Sequence, residues 1–413
     1  MHVGTQKNSL LSMSLKFGYW APILSGGYVL SNIPQRTEWS IAANVRLAQT
    51  AERVGFDYTL LPARFTSLEC GDGQNDALAT SAYLAAATER LKIIGAFHTA
   101  YWHPAMIAKS ASTIDVASGG RYALNILSGW LKDEYRQFNR PWLEHDERYR
   151  QSEEFIQILR GLWTSEEPLF FNGDYYRIHG AVFRPKPVSQ PGPEIFQGGN
   201  SKAARRMAGT HSDWYFLNGN SIEGAKEQIA EVRAIAASNQ RQVKFGLNAF
   251  VVLRDTVEEA LAQKQAIIDA ADPETIQAFA NQAKNAGQST KEKQGMWANS
   301  DYTDLVQPND GFKTGLMGPA DFIAERIELY REIGVDLLLA AFLHFNDELE
   351  EFGHQVISRF KRHQDKVTLS VPERPTAPEA SAPVQGAFAC GYETASETRK
   401  SQEHAVASVE HTS

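Results

Sequence analysis

Residues 119–155 read GGRYALNILSGWLKDEYRQFNRPWLEHDERYRQSEEF. Gly119-Gly120 forms a turn, and a short apolar run over 122–127 follows, interrupted by one polar residue, Asn125. A brief apolar run bounded by turn residues is what a strand buried on both faces requires. The run ends in Ser128-Gly129-Trp130, passes through a long loop of aromatic and charged residues, and enters a helical pattern near Glu147. The Asn125 amide near the strand end, with a Ser-Gly turn after it, fits the floor of a ligand site. The alternative is a strand whose asparagine caps a loop.

Outward from this stretch the same unit recurs. Upstream, strands are expected over 16–20, 58–61 and 91–97, with helices over 38–54, 77–88 and 104–117. The first helix places Ile41, Val45, Leu47, Ala48 and Ala51 at helical spacing and stops at Gly55. Downstream of a helix over 147–163, strands are expected over 194–197, 213–217, 243–253 and 336–343. Helices are expected over 201–207, 222–237, 257–271, 322–333 and 348–361. Alternation at intervals of roughly 30 residues predicts a parallel sheet covered by helices. Eight such units fit a closed (β/α)8 TIM barrel better than an open doubly wound sheet. No strand is followed by a GxGxxG turn, which lowers the dinucleotide-fold alternative. Two insertions break the alternation. Residues 168–180 read as a hairpin with a two-residue turn at Asn172-Gly173. Residues 272–314 are too long for an ordinary connection and read as a functional lid, with Lys313 as a residue that closes over the site. The expected organisation is a flexible leader over 1–14, the barrel over 15–365 and a disordered tail over 366–413, rich in Pro, Ala, Ser, Glu and Thr.

Composition narrows the partners. The 413 residues carry a net charge of −8, which argues against nucleic acid and anionic membranes. No apolar run reaches the roughly 18 residues needed to span a bilayer, and the N-terminus lacks a signal-peptide pattern. Cys70 and Cys390 are the only cysteines, so a reducing, cytoplasmic compartment is expected and Cys70 reads as a spectator thiol.

In a barrel the chemistry lies at the C-terminal ends of the strands. Those ends supply Trp20, Arg64, Phe97 and His98 with Trp102, Asn125 with Ser128, Gly198 to Ser201, Asn218, Asn248 with Phe250, and Phe342 with His344. The set is aromatic and amide-rich, with few carboxylates, as suits a large flat ligand. Gly198-Gly199-Asn200-Ser201 lies between a strand and a helix start. Its glycines allow close backbone approach and the helix N-terminus offers free N–H groups, so it reads as an anion site, most naturally for phosphate. A plain Gly-Gly turn with an Asn or Ser cap is the alternative. His98 with His103, or Glu144-His145-Asp146, are weak candidates for a metal, and none is expected. A Ser-His-Asp triad lacks its GxSxG elbow.

Several segments then carry a family resemblance: NILSGW over 125–130, WLEHDERYR over 142–150, EIFQGG over 194–199, SDWYF over 212–216, Asn248-Ala249-Phe250 and NDGFKT over 309–314. Together they resemble the bacterial luciferase-like flavin monooxygenases, in the branch acting on small sulfones, over roughly residues 15–362. The resemblance implies a (β/α)8 barrel using FMN as FMNH2, delivered by a separate NAD(P)H:flavin reductase, with O2 as co-substrate. It also implies a homodimer or homotetramer. Asn125, Ser128 and Gly129 would face the isoalloxazine; Tyr149, Gly198, Gly199, Asn200 and Ser201 would hold the phosphate end. The expected reaction cleaves a C–S bond of dimethylsulfone to methanesulfinate and formaldehyde. Arg64, Asn248 and the indole N–H of Trp20 or Trp102 would donate to the sulfone oxygens, beside Phe250, with His344 as a possible acid/base group. The alternatives are an alkanesulfonate or other small organosulfur monooxygenase, a metal-dependent barrel hydrolase and a non-catalytic flavin sensor. The segment FHTAYWHP over 97–104 departs from the family's more proline-rich form, which leaves room for a larger substrate.

Overall fold

The computed structural model describes residues 14–65, 71–288, 295–297 and 300–361. Cys70, Cys390, the tail and nearly all of the leader lie outside the described residues. Eight parallel strands close a barrel in chain order: β1 Lys16–Trp20, β2 Tyr58–Leu61, β3 Lys92–His98, β4 Tyr122–Leu127, β5 Glu194–Gly198, β6 Trp214–Leu217, β7 Lys244–Phe250 and β8 Leu337–Ala341. Closure is made by β1 against β8, in register from Lys16↔Leu337 to Tyr19↔Ala340. The main outer helices are α1 Ile41–Val54, α2 Ala77–Ala87, α3 Pro104–Ser118, α4 His145–Thr164, α5 Lys202–His211, α6 Ile222–Ser238, α7 Ala320–Ile333 and α8 Phe345–Phe352. Their starts follow local chemistry: Ser40, Asp76, Ser201 and Ser221 each accept a backbone N–H of the first turn of α1, α2, α5 and α6.

Side chains alternate across a strand, so a closed sheet has one inward set. Its apolar part is Tyr58, Leu60, Ile94, Ala123, Phe196, Trp214, Phe216, Leu337 and Leu339, separate from the larger core between sheet and helices. Phe196 stacks on Trp214 at 5.0 Å and on Phe216 at 5.1 Å, filling the barrel's middle. The bottom is ionic. Glu194, the first residue of β5, accepts from Lys92 Nζ at 2.8 Å, Lys244 Nζ at 3.0 Å, Trp214 Nε1 at 2.9 Å and Tyr58 OH at 3.2 Å. Burial alone would raise its carboxyl pKa, but Lys92, Trp214 and Lys244 outweigh burial and hold it at about 2.

The insertions differ from their expected forms. Between strands Leu169–Asn172 and Arg177–Ala181 the hairpin loop has four residues rather than two. The reason is Glu154 on α4, whose carboxylate accepts the backbone N–H groups of Asp174, Tyr175 and Tyr176 and holds the wider loop. The 272–314 segment contains a helix, Pro273–Gln288, a short turn of helix, Tyr302–Leu305, and a 3-10 turn, Gly311–Thr314. The apolar stripe Ile276, Phe279 and Ala283 buries that first helix, although most of its other residues are polar or small. The expected strand over 243–253 is two: after Val251 the chain leaves the barrel, and Val252–Leu253 pairs with Met317–Gly318.

Because Glu194 is depressed in the folded state, its contribution is present above the ordinary carboxylate range and is lost as pH falls toward 2. Glu194→Gln is expected to cost about 3 kcal/mol at most at pH 7. In urea unfolding across pH, the gap between the two proteins should close between pH 4.5 and 2; a gap independent of pH would show that the charge is not what stabilises the floor.

Candidate functional site

Above the aromatic middle, the next inward residues, apart from Trp20, are small or amide-bearing: Pro62, Ala96, Asn125, Gly198, Asn218 and Asn248. Small side chains there leave a cavity of about 1170 Å³, its open mouth included. Trp20 Nε1 donates to Asn248 Oδ1 at 3.1 Å, and Asn248 Nδ2 donates to the Leu217 carbonyl at 2.9 Å. These bonds orient both side chains on the cavity wall. They also correct one expectation: the Trp20 indole N–H is engaged by Asn248 and is not a donor awaiting substrate. Asn125, by contrast, is buried on the wall and its Oδ1 has no hydrogen-bond partner among the described residues. A buried acceptor of this kind is costly unless a ligand or water donates to it.

The turn after β4 is held from below. Tyr135 OH donates to the Ser128 carbonyl at 3.1 Å, Arg148 Nε donates to the Gly129 carbonyl at 3.2 Å, and Ser152 Oγ bonds Ser128 Oγ at 2.9 Å. Gly129 has φ +95°, and a Cβ there would strike Tyr135, so the turn needs glycine. Arg148 is itself fixed, with its guanidinium 4.0 Å from the Trp142 ring centroid and Nη1 on the Leu143 carbonyl. The aromatic and charged loop that precedes α4 thus positions the wall rather than lining it.

At the far end, Ser201 caps α5 through Ala204 N at 3.2 Å and bonds Tyr149. Gly199 has φ +117°, and a Cβ would come within 2.7 Å of Tyr149 OH. The backbone therefore passes as close to that hydroxyl as glycine permits. Burial raises the Tyr149 pKa, with Ser201 and Arg148 opposing, so the phenol remains a donor near neutral pH. Asn200 Oδ1 accepts from Arg205 at 2.5 Å, which leaves its NH2 as the group able to serve an anion. Gly199 and Asn200 open onto a polar recess of about 460 Å³ that also holds Asn218, Asp310 and Lys313. Lys313, expected over the site as a lid residue, is ion-paired with Asp304 at 3.2 Å and Asp310 at 3.1 Å.

Arg64 lies on the wall, nearly buried, 4.0 Å from the fully buried carboxylate of Glu134 and 5.4 Å from the Trp130 ring centroid. Three expected residues stand apart from this cavity. Phe250 is fully buried against Phe312 at 5.2 Å, because the 3-10 turn Gly311–Thr314 covers the end of β7. His344 accepts the Arg36 backbone N–H at 3.1 Å in the turn before α8. Trp102 lines a neighbouring cavity. Sequence reasoning read 272–314 as a lid but did not name the rings that roof the cavity. Trp130, Phe279 and Trp297 meet edge to face with centroids 5.1–5.9 Å apart, and all three line the cavity. Trp297 was a visible signal inside the long insertion; Phe279 was hidden in a stretch too polar to read as a helix. Among the described residues no three His, Cys, Asp or Glu converge as a metal site, and no helix is long and apolar enough to cross a membrane.

The Trp20–Asn248 bond is open to direct test. Trp20→Phe should lower stability by about 1–2 kcal/mol, and a double-mutant cycle with Asn248→Ala should show coupling of about 1 kcal/mol in urea unfolding. Additive effects would mean that the two side chains are placed independently.

A curated relative from Pseudomonas putida, described as FMNH(2)-dependent dimethylsulfone monooxygenase, is 53% identical over 347 residues, 84% of this chain and 95% of its own length. One from Pseudomonas fluorescens (strain Pf0-1), with the same description, is 52% identical over 83% of this chain and 94% of its own. Among solved structures, a long-chain alkane monooxygenase superposes with a TM-score of 0.73 at 18% identity, covering 86% of this chain and 92% of its own, a likeness of fold. The model of the luciferase-like monooxygenases matches residues 15–337, from just before β1 to the first residue of β8, and with that match the chain belongs to the luciferase-like monooxygenase family.

Proposed function

We propose that the chain is the oxygenase of a two-component flavin system. It binds FMNH2 made by a separate NAD(P)H:flavin reductase and uses O2 to cleave one C–S bond of dimethylsulfone. The balance is dimethylsulfone, FMNH2 and O2 going to methanesulfinate, formaldehyde, FMN and water. The observation that carries this reading is the description shared by two relatives more than half identical over most of the chain. The cavity agrees with it: among the described residues Arg64 is the one charged member of its lining, and the others are apolar, aromatic, neutral amides or the hydroxyl of Ser128. A small neutral sulfone needs one or two donors and an apolar enclosure.

The residues fit the cofactor. The Asn125 Oδ1 without a partner suits a ring N–H, and Ser128 and Gly129 offer a wall for a flat ring system. Tyr149, the amide of Asn200 and the N-terminus of α5 suit a phosphate, with Ser201 and Gly199 shaping the approach. Bound reduced flavin supplies the electrons that activate O2. The protein orients the substrate at Arg64 and Asn248 and keeps water away beneath the Trp130–Phe279–Trp297 roof. We place this work in the cytoplasm, where a soluble reductase supplies FMNH2. We also assign the chain to a homo-oligomer, a dimer at least. Helix α2 has no charged residue in its 11, yet its outer face is exposed, with Tyr83 at 62%, and Met106 on α3 is 60% exposed.

Oxygen-dependent turnover with FMN, NADH and a generic flavin reductase tests the reaction. Formaldehyde and methanesulfinate should appear together and vanish without FMN or O2; turnover of an alkanesulfonate in preference would reassign the substrate. Tyr149→Phe should weaken FMN roughly tenfold or more while leaving riboflavin unchanged, since it removes one donor to the phosphate; equal loss for both would remove Tyr149 from that end. Tyr83→Glu should shift the mass in light scattering toward the monomer, and an unchanged mass would clear the α2 face.

A further inference from the structure

Beside the central cavity lies a second, of about 1070 Å³ with its opening included. Its lining includes Phe97, His98, Tyr101, Trp102, Leu78 and Phe138. The first four belong to one segment, the end of β3 and the turn that follows it. The two cavities share Ala63, Arg64 and Ala96 as a common wall. That wall is thin, since apart from the guanidinium it presents two methyl groups.

The wall's charged member is fixed. Glu134 accepts the backbone N–H of Phe65 at 2.9 Å and the hydroxyl of Tyr101 at 3.4 Å, and faces Arg64 at 4.0 Å. The other charges on the second cavity are engaged by backbone. Asp76 caps α2 through Ala79 N, and Arg140 Nε donates to the Ala100 carbonyl at 2.7 Å. His98 differs from these groups. His98 is 4% exposed, and its Nε2 lies 3.2 Å from the Ala63 carbonyl, an acceptor, which puts the proton on Nε2. Nδ1 is then a lone pair with no partner among the described residues. Burial lowers the pKa of this imidazole and keeps it neutral.

The geometry points to a wider substrate class: methyl sulfones whose sulfonyl group sits at Arg64 and whose second, longer alkyl or aryl arm extends past Ala63 and Ala96 into the second cavity. This rests on the sulfone reading above. The reaction keeps its balance. R–SO2–CH3, FMNH2 and O2 give R–SO2H, formaldehyde, FMN and water; the methyl carbon is oxidised and its bond to sulfur breaks. The aromatic lining takes an apolar arm, and an arm bearing a hydroxyl, such as 4-hydroxyphenyl, would donate to His98 Nδ1.

The test compares dimethylsulfone with ethyl, butyl, phenyl and 4-hydroxyphenyl methyl sulfone, scored by formaldehyde and the matching sulfinate. In the unaltered enzyme kcat/KM should rise along the alkyl series, by up to about fourfold per buried methylene. Leu78→Trp, at a half-buried position, should erase that gain by tenfold or more while leaving dimethylsulfone turnover and FMN affinity unchanged. Ala96→Val, which narrows the wall, should act on the long sulfones in the same direction. Turnover of dimethylsulfone with none of butyl or phenyl methyl sulfone overturns the second-cavity assignment alone. So do equal effects of Leu78→Trp on short and long substrates. No turnover of any sulfone, dimethylsulfone included, overturns the sulfone reading and the class assignment with it.

Discussion

A closed sheet permits one set of inward side chains, and everything at the site depends on that restriction. Once Lys16 is paired with Leu337 and the ring is shut, every second residue of every strand is committed to the interior. The sequence spends those places in three tiers. At the bottom stand Glu194 and its two lysines, in the middle the stacked rings of Phe196, Trp214 and Phe216, and at the top small and amide-bearing residues. A shift of one residue in any strand would turn its amide outward and put an outer-core aliphatic in the cavity. Site and core are therefore specified by the same pattern.

This tiering explains what was legible in the sequence. Strands buried on both faces give short apolar runs between turn residues, so β1, β2 and β4 are found at their true limits and the rest within a few residues. The tier above the rings was legible too, because Asn125, Gly198, Asn218 and Asn248 are unusual at strand ends. What failed depended on contacts remote in sequence. Phe250 has the right parity, but a turn some 60 residues later covers it. His344 follows the last strand yet is drawn to Arg36, across the barrel's seam. The Trp20 indole looked like a free donor because its acceptor, Asn248, is 228 positions away. The hairpin loop was widened by a glutamate from another element.

Charge is distributed with the same economy. The ionic cluster of Glu194 with Lys92 and Lys244 stands at the floor, away from the ligand. The wall of the cavity carries one guanidinium, itself set by a buried glutamate and an indole. Among the described residues the walls are otherwise neutral, and most hydroxyl and amide groups there are tied to other protein groups. Such a cavity selects by shape and by a few donors rather than by net charge, which suits a dipolar, uncharged substrate better than a strongly ionic one.

The roof has a further consequence. Two of its three rings are indoles, Trp130 and Trp297, with centroids 5.1 Å apart at the cavity where a flavin would lie. Indoles so near an acceptor chromophore lose their emission to it. The molecule's own fluorescence therefore carries a built-in gauge of cofactor loading, and one that senses the inserted segment as well as the barrel, since Trp297 comes from the former and Trp130 from the latter.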